Sequence, residues 1–303
     1  MPAKAKERRR DGSTPGSLGA CQPLFAEMCS PSAVVDKNRL GQNFGRQAGQ
    51  YDRYAVVQRR LARALVTMLA AGGQRFNRIL EIGCGTGYLT ALLRQALPQA
   101  HLTALDLAPA AVEIARTRLV GDPGIDWLVA DGEQEISGHY DLITSSAVLQ
   151  WFSRPAQACQ RYYQYLRPGG LLAFATLGPR TFKELAQSFA KAGRLLPEVS
   201  VPVIPARHFA DGQSWRDYLL EAGFQDVTLW QELWPTTYPD LWNFLQAVRG
   251  MGATSTRPSF LSRRLLAAMA QEYNRSFSLE GAIVVTYEVL MLSGRKPEKT
   301  GSR

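Results

Sequence analysis

The chain has 303 residues, 46% of them hydrophobic, a formal net charge of +9 and four cysteines, Cys21, Cys29, Cys84 and Cys159. Length and apolar content suit one large α/β domain or two small ones, while cysteines without a CxxC spacing and only three histidines argue against a metal site or a disulfide framework and suit a reducing compartment. No apolar run approaches the roughly 18 residues of a membrane span and the N-terminus has no apolar signal core, so neither membrane insertion nor secretion is expected and a cytoplasmic location is.

The first ten residues carry five basic side chains and one acid. They supply +4 of the charge and leave the body at about +5. A basic body suits an acidic partner, whether nucleic acid, an anionic protein or an anionic metabolite, or serves solubility alone. Residues 1–35 are rich in Lys, Arg, Gly, Ser and Pro without sustained periodicity, and read as a disordered tail. Glu7 and Asp11 argue against a transit peptide. From Asp36 to about Ala71 the pattern turns helical: Phe44, Ala48 and Tyr51, then Val57, Leu61, Ala64, Leu65 and Met68, recur at three- and four-residue steps. Gly72-Gly73 ends that region.

Short apolar strands then alternate with helices. Strands are expected at Arg78–Ile82, Leu102–Leu105, Ile125–Val129, Tyr140–Ser145 and Leu171–Thr176. Helices run through Ala91, Leu92 and Ala96, from Pro109 to Leu119, and over about Ala156–Leu166, ending at Arg167-Pro168-Gly169-Gly170. This order implies a parallel sheet covered on both faces. Residues 180–210 look helical and then Pro-rich. A helix at Ser214–Ala222, a strand at Asp226–Glu232, a helical stretch over 238–275 broken by Gly-Met-Gly, and a strand at Ala282–Leu292 follow. The last two strands suggest an antiparallel hairpin at the sheet edge, and residues 294–303 a second disordered tail. There are no internal repeats.

The stretch LEIGCGTGYLT, residues 80–90, carries glycines at 83, 85 and 87. A dinucleotide turn is G-x-G-x-x-G and cradles a pyrophosphate; here the third glycine comes one residue early. Glu81, at the end of the first strand, would repel phosphate and suits a cationic group, such as the α-ammonium of a methionine moiety. Asp106, in Leu105-Asp106-Leu107, ends the second strand 23 residues beyond Gly83, close to the spacing of a ribose-binding acid. Asp131 ends the third strand and can accept from an adenine amino group, with the Gly132 backbone N–H donating to the ring. Each acid alone could be a cap or a surface charge; the ordered set points to S-adenosylmethionine.

This set, with Tyr140-Asp141-Leu142-Ile143 and Leu166-Arg167-Pro168-Gly169-Gly170, resembles the class I S-adenosylmethionine-dependent methyltransferases. The resemblance implies a Rossmann-like α/β fold, a seven-stranded sheet with its last strand antiparallel, and N-terminal helices and a helical insertion forming a lid. Glu81, Gly83, Gly85, Gly87, Asp106, Leu107, Asp131 and Gly132 would hold the cofactor. The domain is expected over 36–293, with lid helices at 36–72, the cofactor-binding core at 78–177 and helical insertions at 180–210 and 236–278.

Ser145, Ser146, Gln150 and Trp151 follow the fourth strand and are candidates for the acceptor site. No Asn-Pro-Pro-Tyr element and no acid-paired histidine lies there, so an acceptor that needs no base, such as a carboxylate, fits. Desolvation and alignment would then do the catalytic work. Cys84 and Cys159 read as packing residues.

The segments Asp36-Lys37, Asn43–Ala48, Tyr51-Asp52, Ala55 and Gln58, then Leu149-Gln150-Trp151, Ala175–Gly178, Thr181–Leu185 and Gly250-Met251-Gly252-Ala253-Thr254, resemble the malonyl-acyl-carrier protein O-methyltransferases of biotin synthesis. That resemblance implies methylation of the free carboxylate of a malonyl thioester on an acidic acyl carrier protein, masking its charge for chain extension toward pimelate. Tyr51 would orient the acceptor, or serve as a core aromatic. Gln150 and Trp151 would sit at the mouth, the latter also readable as packing. Arg46 or Arg180 would meet the acceptor carboxylate, since a guanidinium fork suits a planar anion. Lys183, Lys191, Arg194, Arg249, Arg263 and Arg264 would dock the carrier protein. A monomer is expected. Other acceptors stay open: another small acid, a quinone ring carbon, or an assembly or protein-modifying role. RNA methylation, prompted by the basic tail, lacks an aromatic-rich basic stripe.

Overall fold

The computed structural model describes residues 36–134, 136–252 and 262–298. The tail at 1–35 and the residues Ala253 and Thr254 lie outside them. Asp36 caps the first helix, α1 (Lys37–Gln47), accepting from the Arg39 N–H at 3.1 Å. A single turn, α2 (Tyr51–Tyr54), leads into α3 (Val56–Ala71), whose face of Val57, Leu61, Leu65 and Leu69 is buried. Then come β1 (Arg78–Ile82), α4 (Tyr88–Ala96), β2 (His101–Asp106), α5 (Pro109–Arg118), β3 (Ile125–Val129) and β4 (Tyr140–Ser146). A 3-10 turn at Leu149–Trp151 precedes α6 (Pro155–Tyr165) and β5 (Leu166–Leu177). The chain continues through α7 (Lys183–Leu195), a 3-10 turn at Pro205–His208, α8 (Gly212–Glu221), β6 (Gln225–Tyr238), α9 (Leu241–Gly250), α10 (Arg263–Phe277), β7 (Ser278–Leu279) and β8 (Ala282–Arg295).

The strands form one sheet in the order β3-β2-β1-β4-β5-β8-β6, with β7 paired to β8. Strands β1 to β5 pair in parallel; β8 runs antiparallel to both β5 and β6. The hairpin expected at the edge is there, with β6 outermost and β8 inside it. The sheet has eight strands rather than seven, because the two-residue β7 adds to the seven long ones. Other boundaries move: β6 runs on to Tyr238, six residues past the expected Glu232, pairing with β8 throughout. β5 begins at Leu166, pairing with Tyr140, so Arg167-Pro168-Gly169-Gly170 lies within its span at a register shift rather than beyond a helix end. And β8 runs to Arg295, past the expected tail boundary, where the Arg295 guanidinium donates to Gly169 O at 2.9 Å and Lys296 Nζ to Tyr163 O and Leu166 O.

Each face of the sheet carries its own core. Helices α3, α4, α5, α7, α9 and α10 cover one, through Leu65, Leu93, Val112, Phe189, Phe244 and Leu265. Helices α6 and α8 cover the other, through Tyr162, Trp215 and Leu219. The period of two along a strand fixes which side chain meets which core. Within β1, Ile79 joins the first core and Leu80 and Ile82 the second, so Glu81 points to the side of Ile79. Cys84 and Cys159 are buried in these cores, and burial pushes both thiols up, Cys159 to about 12; both pack, as expected.

Gly250 holds the N-terminal helices to the body. A β-carbon there would lie 2.2 Å from Tyr54 Cδ2, so only a glycine lets α9 close on α2. Gly250→Ala should therefore lower stability by about 1–3 kcal/mol through overpacking. Thermal unfolding reads this as a lower midpoint; an unchanged midpoint would mean the Tyr54 ring swings aside without cost.

Candidate active site

The carboxyl ends of β1, β2 and β4 open into a cavity beneath α1, α2 and the start of α3, where ligands of open parallel sheets bind. The turn from β1 to α4 forms its floor. The N–H groups of Gly83 and Cys84 both donate to Leu105 O at 2.8 Å. Gly83 has φ +73°, and a β-carbon on it would fall 2.3 Å from Val148 Cγ2, so no side chain is admissible. Gly85 faces open space within the cavity. Its N–H donates to Asp106 Oδ2 at 2.9 Å, while Ala108 N–H donates to Oδ1 at 2.8 Å. Burial raises the Asp106 carboxyl, and these backbone donors oppose the rise. Each oxygen keeps a free lone-pair position, enough for two vicinal hydroxyls.

At the far wall Asp131 accepts Lys37 Nζ at 2.6 and 2.7 Å on its two oxygens, and the Glu133 N–H at 2.9 Å on Oδ1. One position on Oδ2 remains for an amino group. Lys37 also pairs with Glu133 and lies 5.3 Å above the Phe152 ring. Leu107, Asp131 and Gly132 line the cavity. Neither Lys37 nor Glu133 was nominated from sequence as a site residue. The Asp52 carboxylate fixes the lid side, accepting Thr86 Oγ1 at 2.7 Å and pairing with Arg118.

Glu81 is placed differently from its neighbours. It is fully buried, and it stands behind the turn rather than in the cavity lining. Neither carboxylate oxygen has a hydrogen-bond partner, nor does the hydroxyl of Thr90. Burial pushes Glu81 up to about 8; Thr90 close by pulls it down, and the negative Asp106 adds to the rise. This is an acid held without a counter-charge one residue from the cavity floor. Such an orphaned carboxylate, a glycine turn with room for a ligand, and Asp106 and Asp131 with acceptor positions left over together fit S-adenosylmethionine, which brings cationic groups, ribose hydroxyls and an adenine amine.

A second cavity adjoins the first. Phe44, Tyr51, Gln58, Ala147 and Trp151 line both. Edge-on contacts link Phe44 to Tyr51, Phe44 to Trp151, and Trp151 to Phe209, with centroids 6.5, 6.2 and 5.4 Å apart. Burial, with Asp106 and Asp52 adding to it, raises the Tyr51 hydroxyl far above its ordinary value, so it stays protonated and can donate. Gln150 lines the second cavity with its amide held at both ends: Nε2 donates one N–H to Ala147 O and Oε1 accepts from Thr176 Oγ1, each at 2.8 Å. Ser145 Oγ is likewise used, on Ile82 O at 2.8 Å, while Ser146 Oγ is buried without a partner in the first cavity's wall. Arg46 and Arg180 are exposed and line neither cavity, so the structure does not bring them to the other site residues. Gln58 and Arg59 of α3 do line the first cavity, and Pro205, Ala206 and Phe209, from a stretch with no sequence signature, line the second. Among the described residues no cluster of three or more His, Cys, Asp or Glu could hold a metal ion, and no helix is long and apolar enough to cross a membrane.

Residues 51–229 match the family model described as Methyltransferase domain. The malonyl-acyl-carrier protein O-methyltransferase of Anoxybacillus flavithermus is 37% identical over 263 residues, covering 86% of this chain and 97% of that protein. The enzyme of the same name from Brevibacillus brevis is 36% identical, with coverage of 84% and 95%, and that from Acetivibrio thermocellus 32%, with 89% and 98%. Among solved structures, the YcgJ protein of Bacillus subtilis superposes with a TM-score of 0.53 at 14% identity, covering 78% of this chain and 99% of its own. That likeness is one of fold alone.

Glu81 has a signature in stability. Its ordinary value of 4.5 moves to about 8 on folding. Between these the unfolded chain has lost the proton and the folded chain keeps it, so stability falls as pH rises through this window and levels off above it. Glu81→Gln should raise the unfolding midpoint of the ligand-free protein at about pH 8, with the gain shrinking toward about pH 5. A gain independent of pH would mean Glu81 is ionised throughout.

Proposed function

The chain belongs to the malonyl-acyl-carrier protein O-methyltransferase family, and from that premise we infer that it methylates the free carboxylate of a malonyl thioester on an acyl carrier protein. The observation that carries this reading is the wall common to the two cavities, where an acceptor in the second would face a cofactor in the first.

When bound, S-adenosylmethionine supplies a methyl group on a sulfonium, whose sulfur keeps the bonding pair as the acceptor oxygen forms the new C–O bond. Asp106 would hold the ribose, Asp131 and Gly132 the adenine, and the turn at Gly83 to Gly87 the methionine part. Glu81 would act from behind that turn rather than by lining the cavity, the cationic groups of the bound cofactor favouring its ionised form over the protonated one of the ligand-free protein. A carboxylate is ionised at neutral pH, so no protein base has to take a proton. Tyr51 donates to the acceptor, and Phe44, Trp151 and Phe209 keep water from it. Charge disappears as the carboxylate meets the sulfonium, so a dry enclosure favours the reaction. Helices α1 to α3 would serve as the lid.

An acidic carrier would meet α7 and α10, which pack together and present Lys191, Arg194 and Arg264. Lys191 lies 3.8 Å from Glu272 and Arg264 3.4 Å from Glu198. The Arg264–Glu198 pair is exposed on both sides and contributes little to stability, so Arg264 can exchange partners at little cost. The methyl ester formed would mask the charge and allow chain extension toward biotin.

Transfer from labelled cofactor should be seen to malonyl-carrier protein or malonyl-CoA in preference to free malonate, and transfer to neither thioester would sink the assignment. Asp106→Ala should weaken S-adenosylmethionine binding by roughly tenfold or more, since hydrogen bonds to a charged group are lost. Calorimetry that found unchanged affinity would remove the ribose role from Asp106.

A further inference from the structure

Two carboxylates have to be accommodated where the cavities meet: the one on the methionine end of the cofactor, which is a spectator, and the one on the acceptor, which reacts. Helix α3 offers one neighbouring pair of side chains for them. Gln58 lines both cavities, and Arg59 lines only the cofactor cavity. Neither side chain makes a hydrogen bond or ion pair with a described residue; the Arg59 backbone N–H donates to Ala55 O as part of the helix. The Gln58 Oε1 is sealed from solvent without a donor, and the same amide carries two N–H groups that bond no described residue. This is the reverse of Gln150, whose amide is used at both ends. Of the basic groups at the first cavity, Lys37 is committed to Asp131 and Glu133. Among the described residues the second cavity's lining contains no Lys, Arg or His.

We propose that Gln58 receives the acceptor carboxylate as a neutral donor, beside the Tyr51 hydroxyl, while Arg59 answers the cofactor's own carboxylate. The proposal rests on the malonyl-thioester reading above and names the residue that selects the anion. Its physical sense is differential binding. The acceptor carboxylate loses its charge as the ester forms, so a guanidinium on it would stabilise the reactant more than the transition state. An amide N–H orients the anion with a smaller penalty than a full charge and lets the neutral ester leave. The spectator carboxylate keeps its charge throughout, so holding it by a cation costs nothing in rate.

The two roles separate in one experiment on the full-length protein, with methyl transfer to malonyl-carrier protein and cofactor affinity both measured. Gln58→Leu should lower kcat/KM for malonyl-carrier protein by roughly ten- to hundredfold and leave S-adenosylmethionine affinity within about twofold. Arg59→Gln should do the opposite, weakening the cofactor and sparing the KM for malonyl-carrier protein. Gln58→Glu supplies a readout that a structural role would not move. Its introduced carboxyl repels the acceptor when ionised, so its activity relative to wild type should rise as pH falls. Unchanged kcat/KM in Gln58→Leu, equal loss of acceptor and cofactor affinity in that variant, or a flat pH ratio for Gln58→Glu would each overturn the inference while wild-type turnover stands. Failure of the wild type to methylate any malonyl thioester would overturn the functional reading and this inference with it.

Discussion

The hydrogen bond from the Gly85 N–H to the Asp106 carboxylate, 2.9 Å long, joins the turn after β1 to the last side chain of β2. The strands' own ladder stops one residue short of this contact. Leu105 O takes the N–H groups of Gly83 and Cys84, and Asp106 O takes the N–H of Ala130 from the strand beyond. Gly85 is thus the first turn residue whose donor can reach a side chain. Without it and Ala108, Asp106 would lose its two main backbone donors in a place where burial already raises it. With them it remains an acceptor with capacity left over. That link ties the turn leading into α4, which floors the cavity, to the end of β2.

Closure of the cavity uses different forces at its two ends. At the Asp131 wall and over the glycine turn it is charge: Lys37 from α1 bridges Asp131 and Glu133, and Asp52 from α2 joins Thr86 to Arg118. At the acceptor end it is packing, with Tyr54 against Gly250 and aromatic edges around Trp151. Two residues there carry left-handed backbone that side chains disfavour, Ala147 at φ 57° and Phe182 at φ 60°. Both line the second cavity. The Gln150 amide on Ala147 O and the Phe182 N–H on Thr286 O, at 2.7 Å, hold these conformations in place. Strain of this kind persists only where neighbours over-determine it.

The strands and the glycine turn were legible because their signals are local: alternation, spacing, and acids at strand ends. The direction of Glu81 was also written in β1, since it shares parity with Ile79, but only the packing of α4 against that face turns parity into burial. What sequence could not show were pairings over distance. Lys37 is 94 residues from Asp131, and nothing around it marks a partner. Gln150 and Gln58 look alike as letters; their difference lies in which amide is already satisfied. Arg46 and Arg180 were chosen because an arginine suits a carboxylate, and chemistry of that sort carries no information about which face of an element a side chain occupies. Gly250 belonged to a motif whose physical reason, the ring of Tyr54, sits on a helix about two hundred residues earlier.

The misplaced arginines lead to a more general point about anionic acceptors. A guanidinium fork is the strongest recognition a protein has for a carboxylate, so it is the natural expectation for binding. Binding and turnover nevertheless ask for different things when the reaction removes the charge being recognised. Every increment of ion pairing given to the reactant is lost again on the way to a neutral ester, and the barrier rises by the difference. A cavity walled by Phe44, Trp151 and Phe209, with amide and phenol donors in place of cations, lessens that loss. Selectivity for an acidic carrier can then reside outside the cavity, on basic surface that never touches the reacting atoms. Such a division fits a chain with a net charge of +9 whose second cavity is lined, among the described residues, by no charged side chain.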